Sequence, residues 1–563
     1  MASEDPRATL FDLGRAECPR RNFKPNRLYG NSENPDSRRR SICSVFAIFP
    51  VVFVALAIRA NTCSAAEPIA QFSVEVDLGR DRGQSFGSLF EVRDSNDRVV
   101  AGAGFMDVYN TRFRTDRHTL QFFVRPEKEP ERFSTERLPH PDLDCGIYLL
   151  DLNQRLYAWS SVRNNSVRLW DDSSKKWNDA PIPNTGRMRS GDGAIRLGTG
   201  TLTFTGNQVA FDDRIILSPP EQGRYYNFYY AHGRLFFYHT QRTDADGSTH
   251  IYACPWTPES AGLIDLSEAT RMSAKYVGAT PFAWGQFRGE VMTVSNFGGV
   301  YVFHGSEWKT LQEAQKGVSY QVYSMLNYHD RLLLAQYPTG ELFEYRGQEL
   351  KRLNGWPPRL PGVSPSAREA QTMAIYRGDL FVGVWPWAEV WRYRRHEDRW
   401  HSLGRMFTHP KTTDKMTHPY EAAAKKFGLV ANHWGQRVTG MVASGPSLFL
   451  STSSKGTSPW LDEYDFLTDQ QRREYGAVIR LDMPGNLAAQ IKWRDRPIKL
   501  EFVIESNRLV VRQDGAELAH ANFRLDGADG LRQPTVRWGQ GVFGELDGKI
   551  RGRSFKSSKP AGP

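Results

Sequence analysis

Cysteine is scarce in this sequence, and the arrangements that metal binding or redox chemistry would need are missing. Five cysteines occur in 563 residues, without a Cys-x-x-Cys pair or a Cys/His set at zinc spacing. Cys18, Cys43 and Cys63 lie in the first 66 residues. The other two, Cys145 and Cys254, form either one disulfide or two buried small hydrophobic residues. We expect no metal site.

Motifs for nucleotide binding and for the common hydrolase chemistries are also missing. No GxSxG, HExxH, GxGxxG or P-loop pattern occurs between a strand and a helix. This argues against α/β hydrolases, nicotinamide-dependent enzymes and kinases, and no cofactor is expected. The missing motifs do not exclude an enzyme whose catalytic residues come from distant segments of the chain.

Positive charge is too dispersed to indicate a nucleic-acid partner. The formal net charge is +10. Without residues 1–66 it is +6, from 63 Lys and Arg against 57 Asp and Glu. Beyond those residues there is no run of five or more basic side chains. We therefore expect no nucleic-acid binding.

Residues 1–66 have the pattern of an export leader. A polar stretch, interpreted as disordered, ends at Arg38–Arg40, and an apolar run over residues 42–58 precedes small residues at Ser64 and Ala66. The 17 residues of the run are at the lower limit of the roughly 17–25 that span a bilayer. We expect an exported protein, periplasmic or extracellular after cleavage, or anchored on the outer side of a membrane by this run alone.

The segment 376–404 shows the unit from which most of the chain is built. Short alternating stretches separated by tight polar turns predict an antiparallel meander of strands. Such a meander cannot close its own core, so copies are expected. A seventh, shorter copy lies at 200–218. In the other six copies the residue after the first turn is Leu156, Leu235, Val291, Leu332, Leu380 and Leu448.

Four strands per unit and about seven units predict an all-β fold, a β-propeller of four-stranded antiparallel blades over residues 141–482. An aromatic third strand, a polar turn, and a Trp opening the fourth strand recur at Trp177, Trp308 and Trp400. These features resemble Kelch-type propeller repeats. The double glycine expected after the second strand of such repeats is present only at Gly298–Gly299.

Two further β-rich segments, residues 67–140 and 483–563, flank the repeats and alternate with a period of two. The end of the second is expected to be a disordered tail. The two segments form one sandwich from both chain ends, two small accessory sheets, or extra blade strands that close the ring. We favour the sandwich, because a closed propeller brings its termini together.

The longest interruption of the repeat, residues 404–437 (the insertion), is predicted to carry a binding site. Long loops between blades are usually functional, and ligands bind in concave sites lined by a few polar groups. Asn432, Gln436 and Arg437 offer directional hydrogen bonds, and Trp434 offers a flat face for a sugar or carboxylate. In the alternative interpretation, the aromatic residues of the insertion only pin it to the propeller.

Two tryptophans of the opening segment add to this prediction. Trp391 and Trp400 belong to strands, whereas Trp385 and Trp387 flank Pro386 at a turn. Only the latter two are therefore expected to face a ligand.

Candidate catalytic residues are fewer and less specific. His418 and Glu421 share one face of a short helix and could form an acid/base pair. Asp462 and Asp465 offer the paired carboxylates that glycoside hydrolysis needs. The alternative for all four is a solvated surface role.

Together these patterns predict an exported β-propeller that binds a carbohydrate or an extracellular protein through its inter-blade loops. One alternative is a propeller-fold glycoside hydrolase or polysaccharide lyase. Another is a structural surface protein anchored by residues 42–58.

Overall fold

The computed structural model describes residues 68–557, apart from 111–112, 115, 127–132, 143–146, 160–166, 181–192, 243–246, 429–432, 456–457 and 526–528. The predicted leader lies outside the described residues, so export stays a prediction. Cys145 and Asn432 also lie outside them. In the described part of the chain, no helix is both long and apolar enough to cross a membrane.

Seven four-stranded antiparallel units, here called blades 1–7, lie between residues 134 and 482 of the described chain. Each blade begins with its innermost strand. Their strands are, for blade 1, Tyr148–Leu152, Arg155–Trp159, Val167–Asp171 and Lys176–Asp179; blade 2, Gly193–Leu197, Gly200–Thr205, Gln208–Phe211 and Arg214–Leu217; blade 3, Arg224–Ala231, Arg234–Arg242, Gly247–Pro255 and Thr270–Ser273; blade 4, Pro281–Phe287, Glu290–Ser295, Val300–His304 and Glu307–Gln312; blade 5, Gln321–Tyr328, Arg331–Tyr337, Leu342–Tyr345 and Leu350–Leu353; blade 6, Glu369–Tyr376, Asp379–Trp385, Glu389–Arg394 and Arg399–Arg405; and blade 7, Arg437–Ser444, Ser447–Ser453, Val478–Asp482 and Ser134–Arg137.

The ring closes through a strand from the other end of the repeat region. Ser134–Arg137, which precedes blade 1 in sequence, pairs antiparallel with Val478–Asp482 as the outer strand of blade 7. The innermost strands of blades 7 and 1 also contact each other. The protein is therefore a closed β-propeller, and the all-β prediction is confirmed.

The repeat pattern of the sequence coincides with the observed strands. The six aligned residues, from Leu156 to Leu448, are each the second residue of a second strand. Trp177, Trp308 and Trp400 are each the second residue of a fourth strand. Local alternation was sufficient to place these strands because, apart from Ser134–Arg137 of blade 7, the strands of each blade are neighbours in sequence.

A short hairpin lies in the centre of the ring. Its first strand, Val108–Asn110, pairs with Ser324–Leu326 of the innermost strand of blade 5. Its second strand, Phe113–Arg114, pairs in parallel with blade 1 at Leu150. Because innermost strands line the channel of a propeller, a hairpin joined to two of them occupies that channel.

Most strands of the two flanking segments form one sandwich of two five-stranded sheets, as favoured from the sequence, while Ser134–Arg137 is an extra blade strand that closes the ring. The first strand, Ala70–Asp77, pairs with Ile498–Ile504 on one side and with the last strand, Lys549–Ser557, on the other. In spatial order, the first sheet contains Ala516–Asn522, Arg508–Gln513, Ile498–Ile504, Ala70–Asp77 and Lys549–Ser557, and the second contains Asn486–Gln490, Thr119–Val124, Val99–Phe105, Gly87–Arg93 and Thr535–Trp538.

Aromatic residues from both sheets fill the sandwich core. The rings of Phe72 and Phe90 stack with centroids 4.7 Å apart, and Phe502 packs edge-on against Phe90 at 5.1 Å. Residues from both ends of the chain therefore contribute to a single buried cluster.

The described helices are short and lie in loops. The α-helices are Glu421–Lys426, in the insertion, and Asp469–Arg472, between the second and third strands of blade 7. The 3₁₀ turns are Leu266–Glu268, Arg395–Glu397 and Asp529–Leu531.

Candidate functional site

The predicted binding residues of the upper face lie in the interior. The upper face is the one formed by the loops between second and third strands and by the connections between blades. The described members of the predicted set all have a relative exposure of 0%: Trp385, Trp387, Trp434, Gln436 and Arg437. They therefore do not line an open site.

Internal contacts account for the burial of the three tryptophans. Trp434 lies within an aromatic cluster, with its ring centroid 5.3 Å from Trp460 and 5.4 Å from Tyr475. The Arg405 guanidinium stacks over Trp387 at 4.9 Å. The aromatic side chains thus attach the insertion to blades 6 and 7, which is the alternative interpretation drawn from the sequence.

Gln436 and Arg437 also use their polar groups internally. Gln436 Nε2 donates to His409 O at 2.7 Å, and Gln436 Oε1 accepts from Arg405 at 2.6 Å. Arg437 Nη2 donates to both carboxylate oxygens of Glu369 at 3.0 Å, and both of these side chains are fully buried. The Gln436 amide and one nitrogen of Arg437 are thus engaged within the protein, whereas Arg437 Nε and Nη1 are buried without a hydrogen-bond partner among the described residues.

The four candidate catalytic residues do not gather into one cavity. His418 Nδ1 and Glu421 Oε2 are 3.7 Å apart, and burial lowers the pKa of His418 to about 4. His418 is therefore neutral at pH 7, and an imidazole with so low a pKa is a weak base there. Asp462 is exposed, and exposed Asp465 pairs with Lys426 at 2.8 Å. Their roles in catalysis stay predictions.

Cys254 carries a free, buried thiol in the third strand of blade 3, and burial raises its pKa to about 12. Cys145 lies outside the described residues, so the disulfide stays a prediction. Among the residues described, no group of three or more His, Cys, Asp or Glu side chains is arranged to hold a metal ion.

A large open cleft lies on the opposite, lower face, at the seam between propeller and sandwich. Three connected hollows of about 440, 410 and 300 Å³ share His329 in their walls. The propeller contributes turns of blades 3–6, and the sandwich contributes its 94–98 turn and the loop 539–548. We call these three hollows the seam cleft.

Direct bonds between the two parts fix the walls of the seam cleft. Arg125, which follows a sandwich strand, pairs with Asp379 of blade 6 at 2.5 Å and donates to Arg377 O at 3.1 Å. On the other side, His329 N of blade 5 donates to Val542 O at 3.1 Å. The cleft is therefore held open between two bonded contacts.

One end of the seam cleft, the 410 Å³ hollow, is rich in arginine, and we call it the arginine end. Four arginines and one aspartate line it: Arg93, Arg98, Arg125, Arg395 and Asp97. Carboxylates neutralise three of these arginines. Arg93 pairs with Glu91 and Asp97, Arg98 pairs with Asp94, and Arg125 pairs with Asp379.

Arg395 differs from the other three arginines because it is exposed and has no ion pair or side-chain hydrogen bond among the described residues. It opens the 3₁₀ turn Arg395–Glu397, which projects it from blade 6. An exposed and uncompensated guanidinium is available to a carboxylate from outside.

The histidines of the arginine end report the same positive potential. Burial, followed by the charges of Arg395 and Arg93, lowers the pKa of His329 well below its ordinary value. Burial and then Arg125 lower the pKa of His396. Both imidazoles are therefore neutral at pH 7, and the positive charge here comes from arginine.

The opposite end of the seam cleft, the 440 Å³ hollow, is acidic, and we call it the carboxylate end. Its charged lining consists of three carboxylates and one arginine: Asp330, Glu545, Asp547 and Arg288. Arg288 lies 3.5 Å from Glu545, and Asp330 pairs with Arg346. Sequence reasoning missed this cleft because its walls come from segments more than 400 residues apart, and no local pattern relates them.

Comparisons with known proteins add little to this geometry. The scan of protein-family models and the search of curated proteins give no match. Among solved structures, the computationally designed Ika8 protein has a TM-score of 0.33, 10% identity, and coverage of 72% of this chain and 100% of that chain. YCF48 bound to D1 peptide gives 0.33, 10%, 64% and 97%, and the WD40 β-propeller domain of Doa1 gives 0.34, 10%, 64% and 98%. The fold assignment rests on the strand pairing above.

Proposed function

We propose that this β-propeller protein is a binding module that takes an acidic polypeptide segment of a partner protein in the seam cleft. The observation that carries the proposal is the arginine end, where four arginines from sandwich and propeller surround one hollow and Arg395 has no ion-pair partner among the described residues. A carboxylate that binds there could pair with the Arg395 guanidinium without first breaking an existing ion pair.

A polypeptide fits the seam cleft better than a carbohydrate. Sugars are usually recognised by flat aromatic faces, and Phe287 is the single Phe, Tyr or Trp among the residues that line the cleft. The tryptophans that suggested sugar binding are buried on the other face. With the predicted leader, the partner would be extracellular or periplasmic.

The proposal is tested with the full chain and a fluorescein-labelled oligoglutamate peptide, using fluorescence anisotropy. We expect binding that weakens as salt is added, because exposed charges are screened over about 10 Å at 0.1 M. Arg395→Glu replaces attraction by repulsion and should weaken binding about tenfold, or 1.4 kcal/mol.

Arg359→Glu is the matched control, since Arg359 is exposed on the connection between blades 5 and 6, at the upper face. Equal losses for both variants would indicate a nonspecific charge effect and contradict the proposal. Chondroitin sulfate is the second probe. If it binds and depends on Arg395 while the peptide does not bind, the ligand is a carbohydrate and the polypeptide assignment is wrong.

A further inference from the structure

We infer that the partner segment is bipolar, with an acidic stretch for the arginine end of the seam cleft and a basic residue beside it for the carboxylate end. This inference rests on the proposed function and specifies its partner. The two ends are joined by the 300 Å³ hollow, whose lining includes Arg395 from one end and Glu545 from the other.

Asp547 is the counterpart of Arg395 at the carboxylate end. It is exposed, lines only the 440 Å³ hollow, and has no ion pair or side-chain hydrogen bond among the described residues. Apart from Arg395 and Asp547, every Asp, Glu or Arg in the cleft walls has a charged neighbour in the described structure. The two uncompensated charges of the cleft therefore have opposite signs and lie at opposite ends.

The surroundings of Asp547 leave its carboxylate without a cation. His232 is the titratable group whose charge acts on Asp547, and burial lowers the pKa of this histidine. Asp547 is exposed at the rim of the hollow, but loss of solvent on its protein-facing side still raises the pKa of this carboxyl group, and the charge of His232 acts against the rise. His232 Nε2 is buried without a partner in the described residues, so this wall has both an acceptor and a ring nitrogen unused.

This arrangement discriminates among charged ligands. A uniform polyanion, such as a sulfated glycan, would place negative groups against Asp330, Glu545 and Asp547 if it filled the whole cleft. Like charges brought together in this way are unfavourable, whereas a Lys or Arg there would pair with Asp547. A polypeptide can carry both signs within a few residues.

The test compares two labelled peptides on the full chain by fluorescence anisotropy. The first peptide is a glutamate block followed by neutral residues. The second has the same glutamate block together with lysine, and it is made in two versions, with the lysine after the block and with the lysine before it. We expect the block peptide with lysine to bind about two- to fivefold more tightly, the range for one exposed ion pair. Asp547→Lys should abolish this gain and leave binding of the first peptide unchanged or stronger.

Asp414→Lys is the matched control, because Asp414 is exposed in the insertion and has no ion pair in the described structure. If the two peptides bind equally and Asp547→Lys changes neither, the bipolar inference is wrong while the proposed function stands. If neither peptide binds, or if binding ignores Arg395→Glu, the proposed function itself fails. A gain from lysine that survives Asp547→Lys also overturns the inference.

Discussion

Asp151 lies at the first turn of blade 1, where the sandwich packs against the propeller. A cavity of about 10 Å³ is lined by Asp151, Asp116, Thr119 and Gln121, and space of this size suits one water molecule. Asp151 Oδ1, Thr119 Oγ1 and Gln121 Oε1 have no protein partner in the described chain. Burial, and then the charge of Asp116, raises the pKa of Asp151 to about 7.

This carboxyl group should make stability depend on pH in an unusual direction. A raised pKa means that the folded protein holds the proton more tightly, so stability falls as pH rises from about 4 to 7 and is constant above that. The difference between 3.8 and about 7 corresponds to on the order of 4 kcal/mol. Asp151→Asn removes this ionisation.

We therefore expect Asp151→Asn to be more stable than the parent at pH 8 and similar to it at pH 4. Urea unfolding at a series of pH values measures the difference. A difference that does not change over this range would mean that Asp151 is ionised throughout, contrary to the prediction.

At the scale of elements, the strand Ser134–Arg137 determines whether the ring is closed. It lies at the outer edge of blade 7 and has one neighbour, Val478–Asp482. Leu138 N donates to Val478 O at 2.9 Å. Since hydrogen-bonded pairs alternate along an antiparallel ladder, the N–H of Glu136 points at the neighbour and that of Thr135 points away.

Proline substitutions separate these two positions. Glu136→Pro should cost roughly 1–3 kcal/mol, because it removes a ladder donor and leaves a carbonyl unpaired. Thr135→Pro, the matched control, should cost less, and Glu136→Ala isolates the loss of the 2.9 Å ion pair with Arg480. Urea unfolding gives the free energies. Equal costs for the two prolines would contradict the assigned register.

The elements also show how far the sequence could predict this protein. Strands such as Asp379–Trp385 follow from alternation and turn residues, which are local signals. The exposure of Trp385 did not follow, because it depends on the insertion, a segment far along the chain. Arg395 and Asp547 carry no motif, since their importance comes from lying in one cleft. Local sequence patterns therefore predicted the strands of the blades, whereas the candidate site depends on packing between segments that are distant in sequence.

For the whole molecule, the sandwich connects the two ends of the chain and bonds to the propeller through Arg125 and His329. Residues 68–557 belong to one compact unit. The sequence indicated this arrangement only through the argument that a closed ring brings its ends together, because pairing such as Ala70 with Ile504 has no local signature.

Damage to the sandwich core should consequently affect the entire protein. Phe502→Ala should cost about 3–5 kcal/mol, since its ring is buried between the sheets. We expect one transition with the same midpoint by far-ultraviolet circular dichroism and by tryptophan fluorescence, which reports mainly on the propeller.

Ile215→Ala is the control for this substitution, because Ile215 is 44% exposed on blade 2. It should change stability by no more than about 0.5 kcal/mol. Two separate transitions for Phe502→Ala, with the fluorescence midpoint unchanged, would show that the sandwich and the propeller unfold independently.

The closing strand is also synthesised long before the strand with which it pairs. Ser134–Arg137 and Ala70–Asp77 are made early, but their partners Val478–Asp482 and Ile498–Ile504 are made several hundred residues later. At about 5–20 residues per second, these early strands wait on the order of tens of seconds with unpaired edges. A nascent chain in this state exposes unpaired strand edges that can pair with other chains. A chaperone that binds the unfolded chain should therefore raise the yield of folded protein more than faster translation of blades 1–6 would.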